Sequence, residues 1–324
     1  MIRWLVVGAG AVGRAHAAAV RRVAGATLAG FVTVDPFEDP DVPVYAALDA
    51  AIAALRPDAV VIATPHDTHL ALGLQVLEAR IPVLFEKPVG LSTLEAGQLA
   101  ARAAATGTCA GAVLNQRACR HHAWIAQQVA ADTLRITAVS FAAALARLHG
   151  WHADPRRAGG GLLRTIGVHY VDLLRWWLGE PFAVAALLAG EPAEDRIVAA
   201  LRFEGGALGS LQMSATATRS LGPVRTIIEA EGARLELAGH AITRVEGLPD
   251  PPPLELPDPA LPFGPGHLAV IRAATEALAA GRPFPVPLGE LLPTLRLVDR
   301  LYLAARAAEA GARAGTGSSA DQRT

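Results

Sequence analysis

A short apolar run, IRWLVV, breaks at a glycine turn and passes at once into the alanine-rich stretch AVGRAHAAAV. No other feature of the 324 residues restricts the fold as strongly. The turn, Gly8-Ala-Gly10-Ala11-Val12-Gly13, has the spacing of a dinucleotide-binding loop between a strand and a helix. Gly8 suits the tight turn, Gly10 lets backbone approach a pyrophosphate, and Gly13 permits close helix–strand packing. Ala11 and Val12 then open the helix, whose unpaired N–H groups and positive dipole end attract phosphate.

The alternation continues. ATLAGFVTVD, DAVVIATP, IPVLFEKP and TCAGAVLNQ read as buried strands, with HLALGLQVLEAR and LSTLEAGQLAARAAATG as helices between them. Such alternation builds an α/β, doubly wound parallel sheet, and ligands bind at the carboxyl ends of its strands. Gly8, Asp35, Thr64 and Lys87 fall at those ends. The stretch TVDPFEDPDVP carries Asp35, Glu38, Asp39 and Asp41 and no base. Carboxylates there hydrogen-bond ribose hydroxyls and repel a 2′-phosphate, so NAD is expected, while Arg14 keeps NADP open.

A length of 324 residues suggests two domains at ~150 residues each. The formal charge of -1 leaves no basic footprint for nucleic acid. No uncharged apolar run approaches the ~20 residues of a membrane span. Cys109 and Cys119 show neither a metal-ligand spacing nor a disulfide framework, so no metal is expected. With no basic n-region before IRWLVVG, the chain reads as cytoplasmic.

Residues 159–172, GGGLLRTIGVHYVD, place three glycines before a second chemical stripe. A helix over Leu162–Leu178 would align Thr165, His169 and Asp172 at i, i+4 and i+7, with Leu162, Ile166, Leu173 and Trp177 as the core face. Histidine titrates near neutrality, and a desolvated lysine is pushed towards that range. His169 and Lys87 are therefore candidates for proton transfer. Thr165 can donate and accept a hydrogen bond but cannot ionise usefully. The plainer alternative makes His169 and Asp172 surface or capping residues.

Four matches run in order over residues 1–179: the glycine turn with His16, ATPHDTH, Glu86-Lys87-Pro88, and GGGLLRTIGVHYVD. Together they resemble the Gfo/Idh/MocA oxidoreductase family, and GHLAVIRAATEALAAGRPFPV through LRLVDRLYLAARA is similar to that family's ending. The resemblance implies a Rossmann domain (1–118) and a substrate-binding and oligomerisation α+β domain with an open, mainly antiparallel sheet (119–310). It implies hydride transfer between NAD(P) and a secondary alcohol or ketone of a sugar, cyclitol or sugar nucleotide, in homodimers or homotetramers.

By the same resemblance Lys87 and His169 are catalytic, and Thr64, Pro65, His69, Glu86 and Pro88 join the glycine loop and Asp35 around the cofactor. Thr165, Asp172, Trp151 and Arg117 are expected at the substrate. A proline such as Pro88 can also adopt a cis bond in a tight turn. Thr165 stands where the family has aspartate, His66 where asparagine is common, and Thr33 where the family's second-strand acid falls. Some relatives bind NAD without catalysis, and others hydrolyse glycosides through transient oxidation; both remain alternatives.

RITAVSFAAAL, FAVAALLAG, RIVAALRFEGGALGSLQMSATA and VRTIIEAEGARLELAG read as alternating strands. Residues 249–267 read as an extended proline-rich connection, His267 as part of a helix start or, alternatively, as a group returning to the active site, and residues 311–324 as a disordered tail.

Overall fold

Strands and helices alternate through the first third of the chain in a computed structural model that describes residues 1–254 and 265–317. The elements are β1 (Ile2–Val7), α1 (Ala11–Val20), β2 (Ala26–Val32), β3 (Val44–Tyr45), α2 (Leu48–Leu55), β4 (Ala59–Ile62), α3 (His69–Glu78), β5 (Val83–Glu86), α4 (Thr93–Thr106) and β6 (Ala110–Val113). Their strands pair in parallel in the order β3-β2-β1-β4-β5-β6. The order reverses between β1 and β4, and such a switch point opens a crevice at the strands' carboxyl ends. Trp4, Leu5, Val6 and Val7 are all buried, the unbroken apolar run of a strand covered on both faces. No helix joins β2 to β3, so Asp35 lies in a loop.

Beyond α5 (Arg120–Ala130) come β7 (Ile136–Ala146), the short α6 (Pro155–Ala158), α7 (Val168–Leu178), β8 (Pro181–Ala189), β9 (Arg196–Phe203), β10 (Leu208–Ala217), β11 (Arg225–Ala230), β12 (Ala233–Ala238) and β13 (Ala241–Glu246). A second sheet runs β13-β12-β11-β7-β10-β9-β8. All its pairs are antiparallel except β7 with β10. Along β9, Ile197, Ala199, Leu201 and Phe203 are buried while their neighbours are exposed, the period of a sheet with one covered face. Helix α7 supplies that cover: Trp177 stacks on Phe141, and Leu174 closes over Gly209. Leu187, Val198 and Leu208 are exposed.

Two helices follow, α8 (Pro265–Ala279) and α9 (Leu288–Gly317). The chain divides into two compact units. The first contains residues 1–123, 156–159 and 253–293, and the second contains 124–155, 160–252 and 294–324. The first unit is thus discontinuous, unlike the single stretch 1–118 expected. Helix α8 closes it: the Trp4 indole N–H donates to Thr275 Oγ1 at 3.1 Å, and Phe284 stacks on Trp4.

Residues 311–317, expected as the start of a disordered tail, continue α9. Residues 318–324, and 255–264 of the proline-rich connection, lie outside the described residues. Among the described residues no helix is long and apolar enough to cross a membrane.

Candidate active site

The β1–α1 turn needs its glycines for steric reasons. Gly8 sits at φ +102°, where a Cβ would come 2.5 Å from the Ala63 carbonyl oxygen. A Cβ on Gly13 would overlap the Gly8 carbonyl, so α1 could not pack this close. Around Gly10 a Cβ would meet nothing within 4 Å, which leaves room for a ligand against bare backbone. No side chain caps α1, so the amides of Ala11, Val12 and Gly13 face no competing oxygen of a capping residue. Arg14 turns back, donating to the Ala9 carbonyl at 2.7 Å. Asp35 is exposed, and its N–H donates to Thr33 Oγ1. This cradle fits the pyrophosphate and ribose of NAD, which Gly8, Gly10, Ala11, Val12, Gly13 and Asp35 would hold.

At the end of β5 stands Lys87, followed by Pro88 through a cis bond. Of the 29 lysine and arginine residues, 28 are arginine, so Lys87 is the only lysine in the chain. Burial pushes its ammonium below the ordinary lysine range, and the adjacent Glu86 carboxylate opposes that shift. Glu86 itself is 8% exposed. Its Oε1 receives His16 Nε2 at 2.8 Å and lies 3.4 Å from His267 Nε2, and its Oε2 accepts the Lys87 N–H. Burial works to raise the Glu86 carboxyl, but the two imidazoles outweigh it and hold the group well below the carboxylate range. The polar side-chain atoms of His16, Glu86 and His267 lie within 4.8 Å of one another. Both imidazoles aim at one oxygen, which is how hydrogen-bond donors are placed.

His69 ties the β4 and β5 loops together. Its Nε2–H donates to the Thr64 carbonyl at 3.0 Å, and its Nδ1 accepts from Gly90 N–H at 3.4 Å. Burial pushes this imidazole down to about 4. Thr64 Oγ1 meets Thr68 Oγ1 at 2.6 Å, and Pro65 precedes the short turn that contains His66. His66 Nδ1 bonds the Ala158 carbonyl, and Arg117 pairs with Glu290 at 3.4 Å.

In the second unit the glycine run is shaped by Glu194, a residue in the β8–β9 connection. Its carboxylate accepts from Gly161 N–H at 2.9 Å, Leu163 N–H at 3.1 Å and the Tyr302 hydroxyl at 2.5 Å. A Cβ on Gly161 would strike the Glu194 backbone, and one on Gly160 would strike the Tyr302 hydroxyl. Glu194 and Tyr302 escaped sequence reading because one sits in a turn and the other on a distant helix.

The single α-helix expected over Leu162–Leu178 is not what forms. Leu163–Gly167 is a π-turn, and α7 starts only at Val168. Thr165 is buried, and its hydroxyl donates back to the Gly161 carbonyl at 2.8 Å. Back-bonding of this kind bends helices, and the wider π-turn removes Thr165 from the straight i, i+4 stripe. His169 and Asp172 share one face of α7, 9% and 1% exposed respectively. Asp172 Oδ1 accepts from Thr294 Oγ1 at 2.8 Å, and that hydroxyl accepts from Arg175. Asp172 thus anchors α7 to α9. Trp151 is half-buried and stacks on His152 with ring centroids 3.7 Å apart.

A switch-point crevice with a glycine cradle in one unit, and a mainly antiparallel sheet in the other, define a two-unit nucleotide-binding protein of the Rossmann class. The model of the oxidoreductase family with NAD-binding Rossmann fold matches residues 2–113, and that of the GFO/IDH/MocA C-terminal domain matches 121–239. The chain belongs to the Gfo/Idh/MocA oxidoreductase family, whose nucleotide is NAD.

Its relatives include 1,5-anhydro-D-fructose reductase of Ensifer adhaerens, 29% identical over 47% of this chain and 48% of the relative. Inositol 2-dehydrogenase of Rhizobium meliloti (strain 1021) is 30% identical over 58% of each chain. The chain thus spans about half the length of these curated relatives. Among solved structures, the WlbA dehydrogenase of Bordetella pertussis with NADH and UDP-GlcNAcA aligns with a TM-score of 0.81 at 22% identity, covering 95% of this chain and 96% of that one. GenD2 from gentamicin A biosynthesis, in complex with NAD, aligns at 0.76 and 25% identity, over 94% of each chain.

Proposed function

We propose that the protein is an NAD-dependent dehydrogenase or reductase acting on a secondary alcohol or ketone of a sugar, cyclitol or sugar nucleotide. The observation that carries this reading is the lone lysine. Arginine serves at every other cationic position of this chain, yet the end of β5 keeps an amine. Arginine cannot release its proton in a protein, whereas a desolvated lysine can, so position 87 holds a cationic group that burial makes readier to give up its proton. Relatives named as a reductase of an anhydrosugar and a dehydrogenase of inositol support the substrate class.

When bound, NAD supplies the hydride acceptor or donor. Lys87 moves the hydroxyl proton, and His169 serves as base or hydrogen-bond partner to the reacting oxygen. Glu86, Pro88, Thr64, Pro65 and His69 shape the loops that hold the nucleotide. Thr165, Asp172, Trp151 and Arg117 are assigned to substrate binding. With Thr165 in place of an acid, no carboxylate at that position competes with His169 as proton acceptor.

The exposed Leu187, Val198 and Leu208 support assembly of copies through the open face of the second sheet. Two unpaired cysteines suit a reducing, cytoplasmic setting.

The test is NADH formation across sugars, cyclitols and sugar nucleotides, with Lys87→Met and His169→Ala as controls. Turnover with one substrate, reduced at least ~10²-fold in either variant, supports the reading. Tight NADH binding without turnover on any of them would replace it with a sensor that binds NAD, the alternative that Thr165 favours.

A further inference from the structure

The cluster beneath Lys87 extends the reading just given and rests on it. Both His16 Nε2 and His267 Nε2 converge on Oε1 of Glu86, at 2.8 Å and 3.4 Å. A carboxylate oxygen only accepts, so each imidazole presents its Nε2–H to it. The two rings meet edge to face with centroids 4.9 Å apart, and His16 is fully buried. Burial holds His16 down, against the pull of its hydrogen bond to Glu86. The cluster therefore joins one buried carboxylate to two imidazole donors, with Glu86 held ionised and His16 held towards its neutral form.

Three helices bring titratable groups to this carboxylate: α1 brings His16, α8 brings His267, and α3 brings His69, with Asp67 beyond it. Next to it at the end of β5 is Lys87, whose backbone N–H donates to Glu86 Oε2 at 3.2 Å and whose ammonium feels the Glu86 charge.

We propose that Glu86 is a positioning residue for proton transfer: fixed as an anion by His16 and His267, it sets the proton affinity of Lys87. Burial lowers the proton affinity of the lysine. The fixed carboxylate returns part of that affinity, so the amine enters the cycle carrying a proton that it can still give up. His267 thereby joins the machinery of the first unit from a helix that follows Lys87 by almost 180 positions.

The lone lysine makes the test direct. Protein labelled with 13C at lysine Cε gives one lysine side-chain resonance, which needs no substrate and no turnover. Its pH titration reports the Lys87 midpoint even if the protein proves to be a sensor. In Glu86→Gln the midpoint is expected about 1 unit lower than in the wild type, and Glu86→Asp is expected to restore most of it. If Glu86→Gln fails to fold, judged by its melting curve, Glu86→Ala carries the same expectation. A midpoint unchanged within about 0.2 units, or raised, would overturn the proposal. A normal shift with no turnover on any substrate would leave it standing and remove only the dehydrogenase reading.

Discussion

Replacing Glu194 tests whether one carboxylate holds the glycine run in place. It accepts from Gly161 N–H, Leu163 N–H and Tyr302 Oη. Each such bond contributes about 1 kcal/mol net, and more where the orphaned donor is buried. Leu163 is buried, whereas Gly161 is also buried and Tyr302 is half-buried, so Glu194→Ala should cost about 3 kcal/mol. For a cooperative unit of this size that corresponds to a melting temperature lower by about 6–12 °C. Glu194→Gln keeps one acceptor oxygen and should lose about half as much. The assays are thermal unfolding, and hydrogen exchange at the Gly161 and Leu163 amides, which should accelerate together. A melting temperature within about 1 °C of wild type, with both amides still protected, would refute the idea that Glu194 holds this segment.

Acid should destabilise the fold through its buried imidazoles. His69 resists protonation down to about 4 in the folded state, against the ordinary histidine value of 6.5. Between those values the unfolded chain binds more protons, so stability is full above the unfolded value and is lost as pH falls. That costs about 2 kcal/mol between pH 7 and pH 5, with His16 adding loss in the same direction. Urea midpoints measured across that window check it, and a flat profile would count against it. Gly13→Ala forces a methyl onto the Gly8 carbonyl. NADH affinity, read by fluorescence titration, should fall at least about tenfold as the turn opens.

Much of this was legible in the sequence because its physics is local. The glycine turn, the apolar strands and Glu86-Lys87-Pro88 are each written within a few consecutive residues, and β1, β4 and β5 formed where the pattern placed them. The π-turn was not legible. It depends on Thr165 bonding the Gly161 carbonyl and on Glu194 gripping the segment from another loop, and no periodicity records such contacts. His267 read as a helix start or as a return to the active site, and it does lie near the start of α8; its partner Glu86 lies too far away in sequence for spacing to reveal. The uniqueness of Lys87 was visible all along as a count, although pattern reading looks at neighbours and passes over what a composition lacks.

Consider finally the order in which a ribosome would release this chain. The parallel sheet is complete once β6 has emerged, yet Trp4 then has no Thr275 for its indole N–H. Glu86 at that moment has one imidazole where the finished protein gives it two. Both wait for α8, behind the whole of the second sheet. The nucleotide-binding unit is therefore begun first and finished late. A nascent chain stopped before residue 265 should hold its first sheet only loosely and attract chaperones.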